Sequence, residues 1–111
     1  MTSENAERLA RQWIEGWIAG NPYEIPLAAD FTHASPFGTI EGRDAYLKFM
    51  EPMIGKGPKL TVVKTLGTGD EAAIWYEMST AGEPIQCCDW IHASEGEIVA
   101  ITSFYDATHL R

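Results

Sequence analysis

The chain has 111 residues, 45% of them apolar, which suffices for one domain whose hydrophobic core needs neither disulfide nor metal. Sixteen acidic against eight basic side chains give a formal charge of −8, which argues against nucleic acid and membrane as partners, because both attract clustered Lys and Arg. No apolar run approaches the roughly 20 residues of a membrane-spanning helix, and the N-terminus has no signal-peptide pattern, so we expect one cytoplasmic domain over residues 1–111.

The cysteines and histidines predict neither a disulfide nor a metal site. Cys87 and Cys88 are adjacent, and neighbours on a strand point to opposite faces, so a bond between them is geometrically disfavoured and a reducing compartment fits them. His33, His92 and His109 lie far apart, without a Cys-x-x-Cys or His-x-x-x-His pattern. We therefore expect no metal and no cofactor.

The first helix is predicted over residues 3–19, where apolar residues recur at helical spacing and place Trp13 and Trp17 on one face. Core packing is one interpretation of these indoles, because large aromatic side chains dominate core burial. The other is that they line the deep end of a ligand cavity. Residues 23–29 then predict one or two helical turns.

A short strand is predicted over residues 31–34, breaking at Pro36 and Gly38 before a second long helix. If this segment is extended, His33 and Ser35 point to the same face. Ser35 is open to two interpretations, a nucleophile or a residue of the turn, and no Gly-x-Ser-x-Gly surrounds it.

Period-two alternation replaces the helical pattern after residue 58 and predicts strands joined by short turns. Consecutive strands with short connections form an antiparallel meander. Helices followed by a sheet are typical of an α+β fold, here a curved antiparallel sheet packed on N-terminal helices. The predicted strands cover residues 59–66, 72–80, 85–93 and 98–106.

Alternation also divides the last three strands into two faces. One face is mostly apolar with a carboxylate in its middle, which is typical of a ligand cavity. The other exposes Trp75 and Trp90 where helices do not cover the sheet, so we expect a homodimer through that face with both indoles near its centre. The face with the carboxylate comprises Ile74, Tyr76, Met78, Ile85, Cys87, Asp89, Ile91, Ile101, Ser103 and Tyr105.

Asp89 is the most informative acid in the chain. A carboxylate among apolar neighbours must pair, accept hydrogen bonds or stay protonated, and such acids occur both at functional sites and as buried structural groups. His33 alone is readily interpreted as a satisfied interior histidine. If it faces Asp89 across a cavity, it becomes a candidate general acid or base whose tautomer and charged form the carboxylate stabilises.

Several short strings follow one another at characteristic spacing: Trp13 to Asn21, Ala29-Asp30-Phe31, Ser35-Pro36-Phe37-Gly38, Gly42-Arg43-Asp44-Ala45 and Gly96-Glu97-Ile98. Their order resembles the NTF2-like superfamily, especially its SnoaL-like polyketide cyclase and ketosteroid isomerase branches. The resemblance covers nearly the whole chain. It implies a cystatin-like fold, a cone-shaped α+β barrel in which helices close a pocket for a small apolar molecule.

The resemblance also implies roles, which this chain fills incompletely. Ketosteroid isomerases have an aspartate base where this chain has Ser35, while their oxyanion tyrosine and aspartate correspond to Trp13 and Asp89. In the limonene epoxide hydrolases an Arg-x-Asp pair corresponds to Cys87 and Asp89, and a further aspartate corresponds to Ser103. Neither network is complete, so neither mechanism is expected to operate unchanged.

SnoaL-like cyclases are similar in using a His and an Asp as acid/base groups, which implies such roles for His33 and Asp89. Our first hypothesis is an isomerase, cyclase or hydrolase for an apolar oxygenated substrate, with Asp89 orienting or donating, His33 moving a proton and Ser103 positioning a water. The second is a non-catalytic ligand-binding or dimerisation module. The predicted pocket lining is Trp13, Trp17, Ser35, Tyr76, Met78, Cys87, Ile91, Ile101, Ser103 and Tyr105.

Overall fold

The computed structural model describes residues 2–79 and 81–106, with side chains described from residue 6 onward. Short 3-10 helices at Pro22–Glu24 and Glu51–Met53 follow the two α-helices. In chain order the main elements are α1 (Thr2–Ile18), β1 (Leu27–Ser35), β2 (Gly38–Glu41), α2 (Arg43–Met50), β3 (Leu60–Thr68), β4 (Glu71–Met78), β5 (Ile85–Ser94) and β6 (Glu97–Tyr105). None of the helices in these ranges has the length and apolar character needed to cross a membrane.

The strands form one sheet in the order β2-β1-β6-β5-β4-β3. Strands β3 to β6 pair antiparallel in succession, which is the predicted meander. Strand β1 lies parallel to β6, and β2 pairs antiparallel with β1. The predicted α+β fold, a curved sheet against N-terminal helices, is therefore confirmed; the sheet contains one parallel pair and stays open between its edge strands β2 and β3.

Both helices pack against the sheet, α1 mainly on β3 and β4 and α2 on β1. Helix formation follows from the apolar spacing in each segment, since that spacing presents one continuous apolar stripe to the sheet. The core fills the space between helices and sheet. Its largest members include Leu9, Trp13, Ile14, Phe31, Tyr46, Ile74, Ile91, Ile98 and Ile101.

The first helix approaches the following segment so closely that any side chain at residue 16 would displace Ile25. A Cβ at Gly16 would lie 2.5 Å from Cγ1 and 2.7 Å from Cδ1 of Ile25. Ile25 is itself buried, so its side chain has little room to withdraw.

The helical turns predicted over residues 23–29 are wrong beyond Glu24, because β1 begins at Leu27. The residue before a proline is driven out of the helical region, and Ile25, which precedes Pro26, is extended with ψ 132°. The Pro26 carbonyl then accepts a hydrogen bond from the Ile98 N–H at 2.8 Å. Strand β1 is consequently much longer than the predicted 31–34.

A hairpin also replaces the predicted direct passage from the Pro36 turn into the second helix. Strand β2 folds back on β1, with Ser35 opposite Gly38. The second helix is shorter than expected, since α2 ends at Met50 and a 3-10 turn follows. Strand β4 ends at Met78, and the predicted last residue of that strand, Thr80, lies outside the described residues.

Candidate functional site

Asp89 lies in the middle of β5 and points to the face that the helices cover. Its register partners are Ile74 on β4 and Ser103 on β6, both on the predicted inner face. The residue is 1% exposed. The predicted division of the sheet into two faces is thereby confirmed, and the carboxyl is enclosed by apolar side chains.

Three side chains form hydrogen bonds with the Asp89 carboxyl. The Trp13 indole Nε1–H donates to Oδ2 at 2.7 Å, and the Tyr76 hydroxyl lies 3.1 Å from both carboxyl oxygens. The Ser103 hydroxyl is the third partner. Burial raises the pKa of Asp89 above its ordinary value of 3.8, although all three hydrogen bonds act to lower it. The carboxyl therefore holds a proton more tightly than an exposed aspartate does.

His33 reaches the same network from β1, but through Ser103. Its Nε2 lies 3.0 Å from the Ser103 Oγ. Burial lowers the pKa of His33 to about 4, so the imidazole is neutral at pH 7. The arrangement thus differs from a directly paired, charged His–Asp couple, because a hydroxyl stands between the two groups and the imidazolium is disfavoured.

An aromatic wall surrounds the imidazole. Tyr46 of α2 is nearest, with its ring centroid 5.0 Å from that of His33, and Trp13 lies at 5.9 Å. Trp17 meets Tyr46 edge to face at 6.3 Å. Tyr46 is a site residue that the sequence did not reveal, since its position on the apolar face of a helix indicated only core packing.

The other predicted lining residues share the inner face but differ in depth. Those near Asp89 are fully buried, whereas Met78, Ile85 and Tyr105 are partly exposed at one end of the strands. Tyr105 pairs in register with Cys87, and Met78 with Ile85, so this end lies two to four residues from Asp89. The buried lining residues are Trp13, Tyr76, Cys87, Ile91, Ile101 and Ser103.

Ser35 lies at the end of β1, where its side chain has a local role. Its Oγ accepts a hydrogen bond from the Phe37 N–H at 3.2 Å, and Tyr105 also hydrogen-bonds to it. These contacts are typical of a turn residue. Activation of Ser35 as a nucleophile would need a base within hydrogen-bond reach, and Tyr105, with a pKa raised by burial, is a poor one.

The cysteines differ in surroundings. Both are free thiols, as predicted. Cys87 is buried beside Asp89, and burial raises its pKa to about 11, so the thiol stays protonated at neutral pH. Cys88 lies on the opposite face of β5.

A cleft of about 240 Å³ lies outside this network, between α1 and the 3-10 helix that follows it. It is lined by Gln12, Glu15, Gly16, Ala19, Asn21, Glu24 and Ile25, which include none of the predicted pocket residues. The cleft is therefore unrelated to Asp89, and the predicted conical pocket stays a prediction.

One group of potential metal ligands comes together at the turn between β3 and β4. Asp70, Glu71 and His92 each place a ligand atom within 4.8 Å of the others, a juxtaposition that their sequence positions did not reveal. Asp70 and His92 are well exposed, and Glu71 already accepts a hydrogen bond from the Trp90 indole at 2.7 Å. Exposed groups of this kind are common without a metal, while the third histidine, His109, lies outside the described residues.

The outer face of the sheet exposes aromatic side chains, as predicted. Trp75 is 44% exposed, Trp90 47% and Phe104 57%. Register places Trp75 and Phe104 on either side of Cys88, so they form one apolar patch across three strands. The Trp75 indole donates to Gln86 at 2.6 Å, which fixes its orientation at the patch.

The sequence of residues 10–101 matches the family model of the SnoaL-like domain. The chain therefore belongs to the SnoaL-like domain family, which confirms the predicted superfamily. None of the curated proteins is similar enough in sequence to match the chain.

Solved structures with the same fold include proteins of different description. An NTF2-like protein of unknown function from Cytophaga hutchinsonii is 26% identical, with 92% of this chain and 90% of that one covered and a TM-score of 0.79. A Kribbella flavida protein provisionally described as a ketosteroid isomerase is 23% identical, with 98% and 89% covered and a TM-score of 0.78. An LEH-like epoxide hydrolase from M. tuberculosis is 14% identical, with 95% and 85% covered and a TM-score of 0.77. The fold is thus shared with proteins described as enzymes and with others of unknown function.

Proposed function

We propose that this protein is a small-molecule acid/base enzyme, an isomerase, cyclase or hydrolase acting on an apolar oxygenated substrate. The observation that carries the proposal is the buried carboxyl of Asp89, held by Trp13 and Tyr76 and linked through Ser103 to an imidazole. Buried acids and bases with shifted pKa values are concentrated at catalytic sites. The proposal also agrees with the two solved neighbours described as an isomerase and an epoxide hydrolase.

Asp89 and His33 have complementary chemical capacities. A carboxyl whose pKa is raised by burial, once ionised, readily takes up a proton that reaches it through Ser103. His33, neutral at pH 7, can accept a proton from carbon or from water. Removal of a proton from carbon or from water is a step that enolisation, ring closure and epoxide opening share.

The aromatic wall favours an apolar substrate. Trp13 and Tyr46 lie against the imidazole, and Trp17 packs on both of them. A ligand beside His33 would therefore replace contacts with water by contacts with aromatic rings. We place the entrance at the partly exposed end of the inner face, near Met78 and Tyr105, because the side chains around Asp89 are closed to solvent.

Activity measurements with two variants test the enzyme proposal. A panel of epoxides, esters and β,γ-unsaturated ketones is assayed with the native protein, and any turnover found is compared with Asp89→Asn and His33→Ala. Both variants should keep their circular dichroism spectrum and lose turnover at least a hundredfold. Undiminished turnover in both would remove Asp89 and His33 from the mechanism.

A non-catalytic ligand-binding module is the second candidate. Every fully buried side-chain nitrogen and oxygen among the described residues has a hydrogen-bond partner, and a self-satisfied network of this kind needs no reaction to explain it. Native mass spectrometry of the purified protein separates the candidates. A co-purifying ligand that is returned unchanged after incubation, with no turnover in the panel, favours the binding module.

We also propose that the outer face forms a homodimer. A second copy fits this face because its rim carries charges of both signs, Lys64 beside Trp75 and Glu77 beside Gln86, which a two-fold axis can bring together. The exposed indoles of Trp75 and Trp90 would lie near the axis.

The free thiols of the chain fit a reducing compartment, and on that ground we propose that the protein is cytoplasmic.

A further inference from the structure

Ser103 stands between the two groups to which the proposed function assigns chemistry. It lies on β6, with Asp89 as its antiparallel partner on one side, while His33 of the parallel strand β1 pairs with Ile101, two residues away. Its Oγ lies 3.0 Å from the His33 Nε2, and its hydroxyl hydrogen-bonds to Asp89. Ser103 is 6% exposed, whereas His33 is partly exposed, so the imidazole is the member of this chain that a ligand can meet.

A count of protons restricts how this chain can be arranged. The Ser103 hydroxyl has one hydrogen, so it can donate to only one of its two partners. The Trp13 indole is a donor only, which requires the Asp89 Oδ2 to be an acceptor in either protonation state. When Asp89 is ionised, Ser103 donates to it and must accept from His33, which fixes the Nε2–H tautomer and leaves the Nδ1 lone pair free. When Asp89 carries a proton on Oδ1 and donates it to Ser103, the serine hydrogen turns to Nε2 and His33 becomes the Nδ1–H tautomer.

We propose that Ser103 is a positioning residue that couples the protonation state of Asp89 to the tautomer of His33, so that a proton taken up at Nδ1 is delivered to Asp89. In that transfer a substrate C–H or O–H bond breaks and an Nδ1–H bond forms. The Nε2 proton passes to Ser103, and the serine proton passes to Asp89. The electron pair stays on the substrate, and one negative charge moves from Asp89 to it. The imidazole is neutral before and after the transfer.

This proton relay, from His33 through Ser103 to Asp89, explains how a poorly basic imidazole can act as a base in an apolar interior. Burial makes the imidazolium costly, and the pKa of His33 near 4 expresses that cost. The relay avoids the cation, because the proton ends on Asp89, whose pKa burial raises. The proposal rests on the proposed function for its chemical purpose, but the coupling itself is a property of the protein without substrate.

No other described group in this interior should disturb the coupling between pH 4 and 8. The titratable groups that interact with Asp89 all have raised pKa values, so they stay neutral throughout that range. These groups are Tyr46 from α2, Tyr76 from β4, Cys87 and Cys88 from β5 and Tyr105 from β6. Tyr46 is also the titratable group in ring contact with His33.

Imidazole 15N NMR of the uniformly labelled protein tests the relay without any substrate. In the native protein, the His33 nitrogens should indicate Nε2–H at high pH and shift toward Nδ1–H as the pH falls through the midpoint of Asp89, which is followed by its carboxyl 13C signal. Ser103→Ala should lose this response while Asp89 still titrates, and Ser103→Thr, which keeps a hydroxyl, should retain it. Two results would overturn the proposal. One is a His33 tautomer ratio in the native protein that does not change as Asp89 titrates; the other is a ratio that changes to the same extent in Ser103→Ala.

The NMR result and the turnover measurements together show whether the relay or the proposed enzymatic function has failed. Turnover with an uncoupled tautomer would keep the enzyme and remove the relay. A coupled tautomer in a protein without turnover would keep the relay as a feature of a binding site and remove the enzyme.

Discussion

At Asp89, desolvation and hydrogen bonding shift the pKa of one carboxyl in opposite directions. Trp13, Tyr76 and Ser103 stabilise the ionised form, yet the pKa is still raised, so burial outweighs three donors. A raised folded-state pKa means that ionisation destabilises the folded protein. The free energy of unfolding therefore falls as the pH rises from 3.8 toward the folded pKa, and Asp89 contributes no further change above it.

His33 has the opposite pH dependence. Its folded pKa of about 4 lies below the ordinary 6.5, so the unfolded chain binds more protons and stability is lost as the pH falls below 6.5. Between pH 7 and 5 this loss amounts to about 2 kcal/mol for that shift. Urea unfolding at both pH values should show the native protein losing about 2 kcal/mol more than His33→Gln. Because His92 is present in both proteins, an equal loss in both would contradict the pKa of His33.

The sequence predicted Asp89, His33 and Ser103 as site residues, but it did not predict the hydrogen bonds that connect them. Alternation alone places Asp89 among inward-facing apolar side chains, because a strand repeats every two residues. The bridge through Ser103 depends on β1 lying parallel to β6, a pairing between distant segments that no local pattern encodes. The sequence pattern indicates only a core position for Tyr46, whereas the structure places its ring against the imidazole of His33.

Among the elements, α1 makes the most specific contact at Gly16. Alanine there improves helix propensity by about 1 kcal/mol, but its methyl group would overlap Ile25 and overpacking costs about 1–3 kcal/mol. Gly16→Ala should therefore be destabilised by roughly 1 kcal/mol in urea unfolding. In a double-mutant cycle, Ile25→Ala should cost less in the Gly16→Ala background, since the added methyl group occupies the vacated space. If the destabilisations caused by Gly16→Ala and Ile25→Ala are strictly additive, the added methyl group does not contact Ile25 and the predicted overlap is contradicted.

Element boundaries were predicted best where the pattern was long. The helix over 3–19 and the last three strands lie within two residues of α1, β4, β5 and β6 over the described residues. Errors cluster between residues 22 and 53, where short segments alternate and Pro26 and Pro52 decide the backbone. Strand β2 was missed because its four residues owe their conformation to pairing with β1 rather than to their own propensity.

At the scale of the whole molecule, the outer face determines how copies of the chain associate. If it forms the proposed dimer, a carboxylate at its centre must be buried without a partner. Trp75→Glu and Trp90→Glu should each sediment as monomers at micromolar concentration, where the native protein sediments as a dimer. Phe49→Glu is the matched control, because Phe49 is 69% exposed but lies on α2. A monomeric native protein would contradict the dimer directly.

The chemistry proposed for this site depends on burial raising the pKa of Asp89 above its ordinary value. The most direct measurement is the 13C chemical shift of the Asp89 carboxyl carbon, followed by NMR from pH 3 to pH 9 with Asp89→Asn as the assignment control. We predict a titration midpoint above the ordinary 3.8. A midpoint at or below 3.8 would mean that the hydrogen bonds with Trp13, Tyr76 and Ser103 outweigh burial, and that Asp89 is a structural carboxylate rather than a group that takes up a proton in the proposed site.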